Sequence, residues 1–322
     1  MARLKRPRPP LPPRDGLGPS RVRHPGPEPV PAIELLSAVI LGQRRRHPND
    51  DEAAILRRFA QGQVVLADAT PLTPASTINP GTDVFFYRRP APETPVPYEI
   101  PSVYEDDAIL VINKPPFLAT MPRGAHITET ATVRLRRATG NEELAPAHRL
   151  DRQTSGLLLF TKRREVRGAY QELFAAREVH KQYVAIAPYL PHCLPTTWRS
   201  HIEKLHGEIA SREVPGAAPN ATTILRSVSR LAPGDEARLQ AAHATQGPLA
   251  KYLLEPVTGR THQLRVHMNA NAAPILGDAF FPRVLPEEEE DYGVPLRLTS
   301  VRLAFTDPLS GEERHFEAEP WI

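Results

Sequence analysis

Apolar positions along the chain recur in two rhythms. Leu157-Leu158-Leu159-Phe160 is a continuous apolar run introduced by Gly156, too short for a membrane span, and it predicts a buried strand. Ile109 to Ile112, Tyr183 to Ala187, Thr222 to Val228, Leu249 to Leu254 and Val301 to Phe305 read the same way, several of them flanked by Pro or Gly. Val166, Ala169, Tyr170, Leu173 and Phe174 instead follow the spacing of an amphipathic helix. Another helix is expected to begin near Thr261. Earlier, Ile33 to Leu41 and Asp51 to Phe59 predict two helices, the second with acids in its first turn. Val64-Val65-Leu66 and Val84 to Tyr87 then predict a short hairpin. Strands in runs, with helices between them and no strict βαβ alternation, indicate an α+β fold with a mostly antiparallel sheet.

Local composition divides the chain further. Residues 1–31 carry seven Lys or Arg against two acids among repeated prolines, the mark of an extended basic tail that either lies along a polyanion or is simply solvated. Residues 32–88 form the small helix-and-hairpin module. Residues 89–97, with four prolines, read as a linker. Residues 98–322 hold the larger domain, which closes on a terminal hairpin with its turn at Asp307 to Gly311. The acidic run Glu287 to Asp291 lies between prolines and reads as a solvated loop.

Bulk composition narrows the class. At 322 residues with 40% hydrophobic content, the chain can bury a real core. The formal net charge is +3, yet thirty-four arginines stand against six lysines, so positive charge is almost entirely guanidinium, suited to bidentate phosphate contacts. A GC-rich genome gives the same bias. The single cysteine, Cys193, permits neither an internal disulfide nor a thiol zinc knuckle. No signal-peptide core and no apolar stretch of membrane length is present, so a soluble, cytoplasmic protein is expected.

The most concentrated chemistry is Arg149-Leu150-Asp151-Arg152, one carboxylate between two guanidinium groups at the mouth of the Leu157 strand. Alone, this is better explained by a structural ion pair ahead of a strand. Further segments change the balance: Tyr104 to Asp107 leading into Ile109 to Pro115; Val179-His180-Lys181-Gln182-Tyr183; Val257-Thr258-Gly259-Arg260-Thr261-His262-Gln263-Leu264-Arg265; and Pro274-Ile275-Leu276-Gly277-Asp278. In order and spacing these blocks resemble those of the RluA-type RNA pseudouridine synthases, over roughly residues 100 to 285. Residues 32–88 more loosely resemble the alpha-L RNA-binding domain that many members carry, with an unusual Arg44-Arg45-Arg46-His47-Pro48 insertion; a divergent cap that binds nothing is the alternative.

The resemblance implies a pseudouridine synthase fold with a central bent, mixed sheet and an RNA cleft across it. It implies isomerisation of a uridine in structured ribosomal or transfer RNA. In it, Asp151 is the catalytic aspartate, Arg265 its ion-pair partner, and Tyr183 the tyrosine that stacks on the target base and offers a hydroxyl for the C5 proton. Arg149, Arg152, Lys181, Arg260, Thr261, His262 and Leu264 are the expected RNA-binding and pocket residues. The reaction needs neither a metal nor a nucleotide cofactor, and a monomer is the default. His148, His262 and His267 lack a metal-site spacing and read as hydrogen-bonding or RNA-contacting groups. Asn269 to Ala273 and Phe280-Phe281 depart from the usual pattern, which bears on substrate preference. Two other readings stand beside this one. A noncatalytic RNA-binding protein would not require the Asp151, Arg265 and Tyr183 set. A nucleoside or glycoside hydrolase would need a second carboxyl group roughly 5 to 9 Å away, and none is evident beside the motifs.

Overall fold

The computed structural model describes residues 9–191, 194–286 and 290–321. Cys193 lies outside the described residues. The chain forms two compact units, one of residues 1–95 with 121–142, the other of residues 96–120 with 143–322.

In the first unit, helices Ala32–Leu41 and Glu52–Ala60 pack on a three-stranded sheet in which Asp83–Phe86 is paired on either side by Ser20–Arg23 and Val64–Leu66. The second helix begins one residue later than expected, with Asp51 as its cap, its carboxylate accepting from the Ala54 amide at 2.8 Å. Leu35, Leu36, Ile40, Ile55, Phe59, Val64, Val84 and Phe86 fill its core. Val30–Pro31 pairs with Thr77–Ile78. Within the basic segment before residue 32, Ser20–Arg23 and Val30–Pro31 thus lie in sheets.

Residues 121–142 join this unit through helix Ala131–Thr139, capped by Thr130 and ended by Gly140. Its Arg136 and Arg137 donate to the carbonyls of Gly16 and Asp15 at 3.1 and 2.9 Å, and Glu142 accepts from the Gly16 amide at 3.0 Å.

The second unit is built on a ten-stranded mixed sheet. Its main path runs Thr196–Ser200, Ala221–Arg230, Leu249–Pro256, His180–Pro188, Leu298–Thr306, Ser155–Thr161, Ile109–Lys114 and Ser102–Glu105; Glu313–Glu317 and Ala145–Pro146 pair beside it. All pairings are antiparallel except that of Thr299 and Ser300 with Ser155 and Gly156. Helix Arg167–Ala176 buries Tyr170 and Leu173 against Ile109, Val111, Leu157, Leu159 and Phe305, which are the apolar residues of three central strands.

The parallel contact explains Gly156. At φ 106° it lies so near the neighbouring strand that an added Cβ would stand 2.2 Å from the Ser300 carbonyl oxygen. Strand Ser155–Thr161 is buried at every position, so the loop ahead of it, residues 147–154, leads directly into an interior strand of the sheet. The architecture is α+β, as expected.

Candidate active site

Asp151 lies in that loop, half-buried. Three contacts fix the backbone around it. Thr120 Oγ1 donates to the Leu150 carbonyl at 2.8 Å, the Thr154 amide donates to the Asp151 carbonyl at 3.1 Å, and Lys114 Nζ donates to the Arg152 carbonyl at 3.2 Å. Lys114 is fully buried; it also donates to the carbonyls of Pro115 and Leu118, at 2.7 and 2.8 Å, so its ammonium meets three oxygens. Burial holds its pKa well below the ordinary lysine value, with the Arg152 charge acting the same way and Asp151 opposing. Among the described residues the Asp151 carboxylate itself has no hydrogen-bond or ion-pair partner.

Tyr183 is buried on strand His180–Pro188, at a register shift between Gln182 and Tyr183 in the pairing with Leu298–Thr306. Burial pushes its phenol up to about 12; the Ser300 side chain opposes the rise and the nearby Asp151 charge adds to it. The hydroxyl is thus protonated at neutral pH.

Arg265 departs from expectation. It lies on helix Gln263–Ala270, 1% exposed, and its ion pair is with Asp278, not Asp151. Arg265 Nε donates to Asp278 Oδ2 at 2.8 Å and Nη2 to Oδ1 at 2.5 Å, a bidentate geometry. Asp278 also accepts from the Phe280 and Phe281 amides at 2.8 and 3.1 Å, and the Phe280 ring lies 4.5 Å from the guanidinium carbon. A guanidinium this buried needs a buried counter-charge, and Asp278, whose side chain is 1% exposed, supplies it. Arg265 still touches the loop that carries Asp151, because Nη2 donates to Gln153 Oε1 at 3.0 Å. Gly277, at φ 72° and with no room for a Cβ against the Pro295 carbonyl at 2.3 Å, sets the turn that presents Asp278.

His262 stands at the head of this helix in a left-handed conformation, φ 57°. Its Nδ1 accepts from the Ser211 amide at 3.2 Å, and its ring packs 5.2 Å from that of Phe280. Burial lowers its pKa to about 4; Asp151 pulls against that shift, Arg265 and Lys204 reinforce it, and Asp278 opposes. One imidazole therefore senses both carboxylates.

The other expected residues divide between pocket and surface. Leu264 is buried, Lys181 and Arg152 are half-buried, and Arg149, Arg260 and Thr261 are exposed. The turn before the helix is closed internally: Gln263 Oε1 accepts from Thr258 Oγ1 at 2.6 Å and the Arg260 amide at 3.1 Å. Arg260 Nε donates to the Asn220 carbonyl at 3.2 Å. His148 and His267 serve the scaffold. The first accepts from the Leu159 amide at 3.2 Å and stacks on Phe174; the second bonds Thr223 and Ser200 through its two nitrogens, at 2.8 and 3.0 Å. Among the described residues no cluster of metal-binding side chains occurs, and no helix is long and apolar enough to cross a membrane.

The family profile described as RNA pseudouridylate synthase matches residues 108–270, a span holding Asp151, Tyr183, His262 and Arg265. The chain belongs to the RNA pseudouridylate synthases. Its relatives place it with the RluA-type branch, isomerases that act on RNA. A dual-specificity RNA pseudouridine synthase RluA of Vibrio parahaemolyticus is 32% identical over 65% of this chain and 78% of its own. A ribosomal large subunit pseudouridine synthase D of Neisseria meningitidis is 29% identical over 84% and 72%. Human RNA pseudouridylate synthase domain containing 1 shares the fold, with a TM-score of 0.54 at 24% identity over 69% of this synthase and 83% of that chain.

Asp278, Gln153 and Lys114 received no site role from the sequence. Asp278 lay inside a recognised block, and its pairing with an arginine thirteen positions earlier is visible only in three dimensions.

Proposed function

We propose that this synthase converts a specific uridine of structured ribosomal or transfer RNA to pseudouridine, with Asp151 as the catalytic residue acting on a flipped-out base. The observation that carries the reading is the half-buried Asp151 carboxylate, without a hydrogen-bond or ion-pair partner among the described residues, on a loop tied through the carbonyls of Leu150, Asp151 and Arg152. An anion held in place yet without a partner is preorganised for a group that arrives with the substrate. In the isomerisation the N1–C1′ bond breaks, the uracil turns, C5 joins C1′, and the C5 proton leaves; Asp151 serves either by bonding to C1′ or by adding to C6. Tyr183 supplies a ring against the base, with Leu264 as an apolar wall. A stacked uridine cannot reach such a pocket, so the target nucleotide leaves its helix, at least cost in a loop or bulge.

Arg265 acts as a positioning residue in this reading, supporting the loop through Gln153 instead of pairing with Asp151. The names of relatives divide between dual-specificity and large-subunit enzymes, which favours ribosomal RNA among the substrates. RNA contact by the first unit has its own support. A cavity of about 570 Å³ there is lined by Arg14, Arg88, Arg123 and Arg137 together with the acids Asp15 and Glu93, and among the described residues none of the four arginines makes an ion pair. Such guanidinium groups suit RNA phosphates and would make binding strongly salt-dependent.

The test is tritium release from RNA labelled at C5 of uridine. The wild type is expected to release tritium and leave pseudouridine, while Asp151→Asn binds the RNA and releases none. Tritium release by purified Asp151→Asn would sink the assignment. Free uracil with an abasic site as product would replace isomerisation by hydrolysis.

A further inference from the structure

Arg152 stands one residue beyond Asp151, its carbonyl fixed by Lys114. Its guanidinium meets Glu290 fork to fork: Nη1 donates to Oε1 at 2.8 Å, and Nη2 donates to Oε2. The pair is only partly open to water, with the two side chains 21% and 22% exposed. The Phe117 ring lies 5.9 Å from the guanidinium carbon. Two residues beyond Glu290, Tyr292 packs edge-on against Phe117 at 5.1 Å, and its carbonyl accepts from the Tyr98 hydroxyl. Glu290 is thus delivered to Arg152 by a segment anchored on the same aromatic platform.

Two parallel N–H groups on two oxygens of one anion is also how arginine takes a phosphate. We infer that Glu290 is an intramolecular stand-in for an RNA phosphate, filling the Arg152 fork in the free enzyme so that an RNA phosphodiester must displace it beside Asp151. This rests on the proposed reading that Arg152 meets the RNA substrate. It adds a specificity element. An RNA whose phosphate enters the fork recovers the lost ion pair, whereas one that cannot place a phosphate there leaves the acid in possession. Carboxylate and phosphate compete for one cation, so removing the carboxylate strengthens RNA binding, opposite to the usual result of removing a contact residue.

The test is fluorescence anisotropy of a short labelled oligouridylate with the full chain, in an Asp151→Asn background that keeps the RNA unconverted. Glu290→Gln is expected to tighten binding by about three- to tenfold. Arg152→Ala is expected to weaken it, and Arg152→Lys, which keeps the charge without the fork, to fall between. In the Arg152→Ala background, Glu290→Gln should bring no further gain. Unchanged or weaker binding by Glu290→Gln overturns the inference, as does an equal gain in the Arg152→Ala background, which would reflect only a lost negative charge. If Arg152→Ala alone leaves affinity unchanged, the inference falls together with the RNA role of Arg152. Tritium release would still judge the isomerase reading on its own.

Discussion

Asp151 and Asp278 belong to the same site and are treated by the fold in opposite ways. Asp278 is buried, gripped by Arg265 through two bonds and by two backbone amides. Asp151 sits in a loop whose backbone is tied at Leu150, Arg152 and Thr154, yet its carboxylate is left alone. One acid is consumed in holding the site; the other is left without a partner, as the proposed role in the reaction requires. A carboxylate that must meet a substrate gains nothing from a strong resident partner, which the substrate would have to displace. The order of these two residues cannot be inverted by substitution without very different consequences.

The sharpest difference concerns activity against stability at Asp151. Asp151→Asn is expected to lower the rate of tritium release by about three orders of magnitude or more. Because the side chain has no partner to lose, unfolding in urea should shift by no more than about 0.5 kcal/mol. A large loss of stability would show that Asp151 is structural after all, and the contrast with Asp278 would collapse.

Asp278→Asn is the converse. It leaves a buried guanidinium without its counter-charge, which typically costs about 3 to 5 kcal/mol, readable as a lowered urea midpoint. Activity should decline with folded population and with disorder in the Gln153 loop. Should Asp278→Asn instead abolish tritium release at full stability, Asp278 would share the chemistry and the division of labour would be wrong.

This division also marks what was legible beforehand. Continuous apolar runs located the central strands, since a strand buried on both faces has no other composition available. The acids Asp51 and Glu52 at the start of one and the Val166 to Phe174 stripe of another located two helices. Helix Pro233–Ala242 went unread because only Leu239 of it is buried, although Pro at its first position and Asp235 and Glu236 in its first turn were signals enough. Helix Ala131–Thr139 likewise carried its Thr130 and Gly140 markers, but its attachment to Asp15 and Gly16 depends on contacts across more than a hundred residues. At the site, motif order supplied Asp151, Tyr183 and Arg265 as a set. It supplied the wrong partner for Arg265, because motif order ranks residues by role and cannot weigh a half-exposed carboxylate against a buried one with backbone donors.

Tyr183 probes the working side of the comparison. Its phenol, held at about 12 chiefly by burial, with Ser300 opposing and the Asp151 charge adding, remains protonated across the physiological range. Tyr183→Phe keeps the ring and removes the hydroxyl, so affinity for RNA should change by less than about threefold while kcat falls by about ten- to a hundredfold. An equal loss in affinity and kcat would mean the hydroxyl binds RNA instead of assisting turnover.

The smallest expected effect is the most direct comparison of the two acids, because His262 senses both. Its pKa, near 4, lies below the ordinary 6.5 chiefly through burial, with Asp151 the larger of the two opposing carboxylate influences and Asp278 the smaller. A folded-state pKa below the unfolded one gives stability that is complete above about pH 6.5 and is lost as pH falls towards 4, since the unfolded chain binds the proton first. Following the imidazole resonances of His262 by NMR through this window should place its titration well below that of an exposed histidine. In Asp151→Asn the titration should move lower still, because an anion favouring the imidazolium is gone. The shift is expected to exceed the one produced by Asp278→Asn, whose freed Arg265 charge then acts unopposed but from behind a loosened pair. If His262 titrates identically in wild type and Asp151→Asn, the Asp151 carboxylate does not face the site it is said to serve.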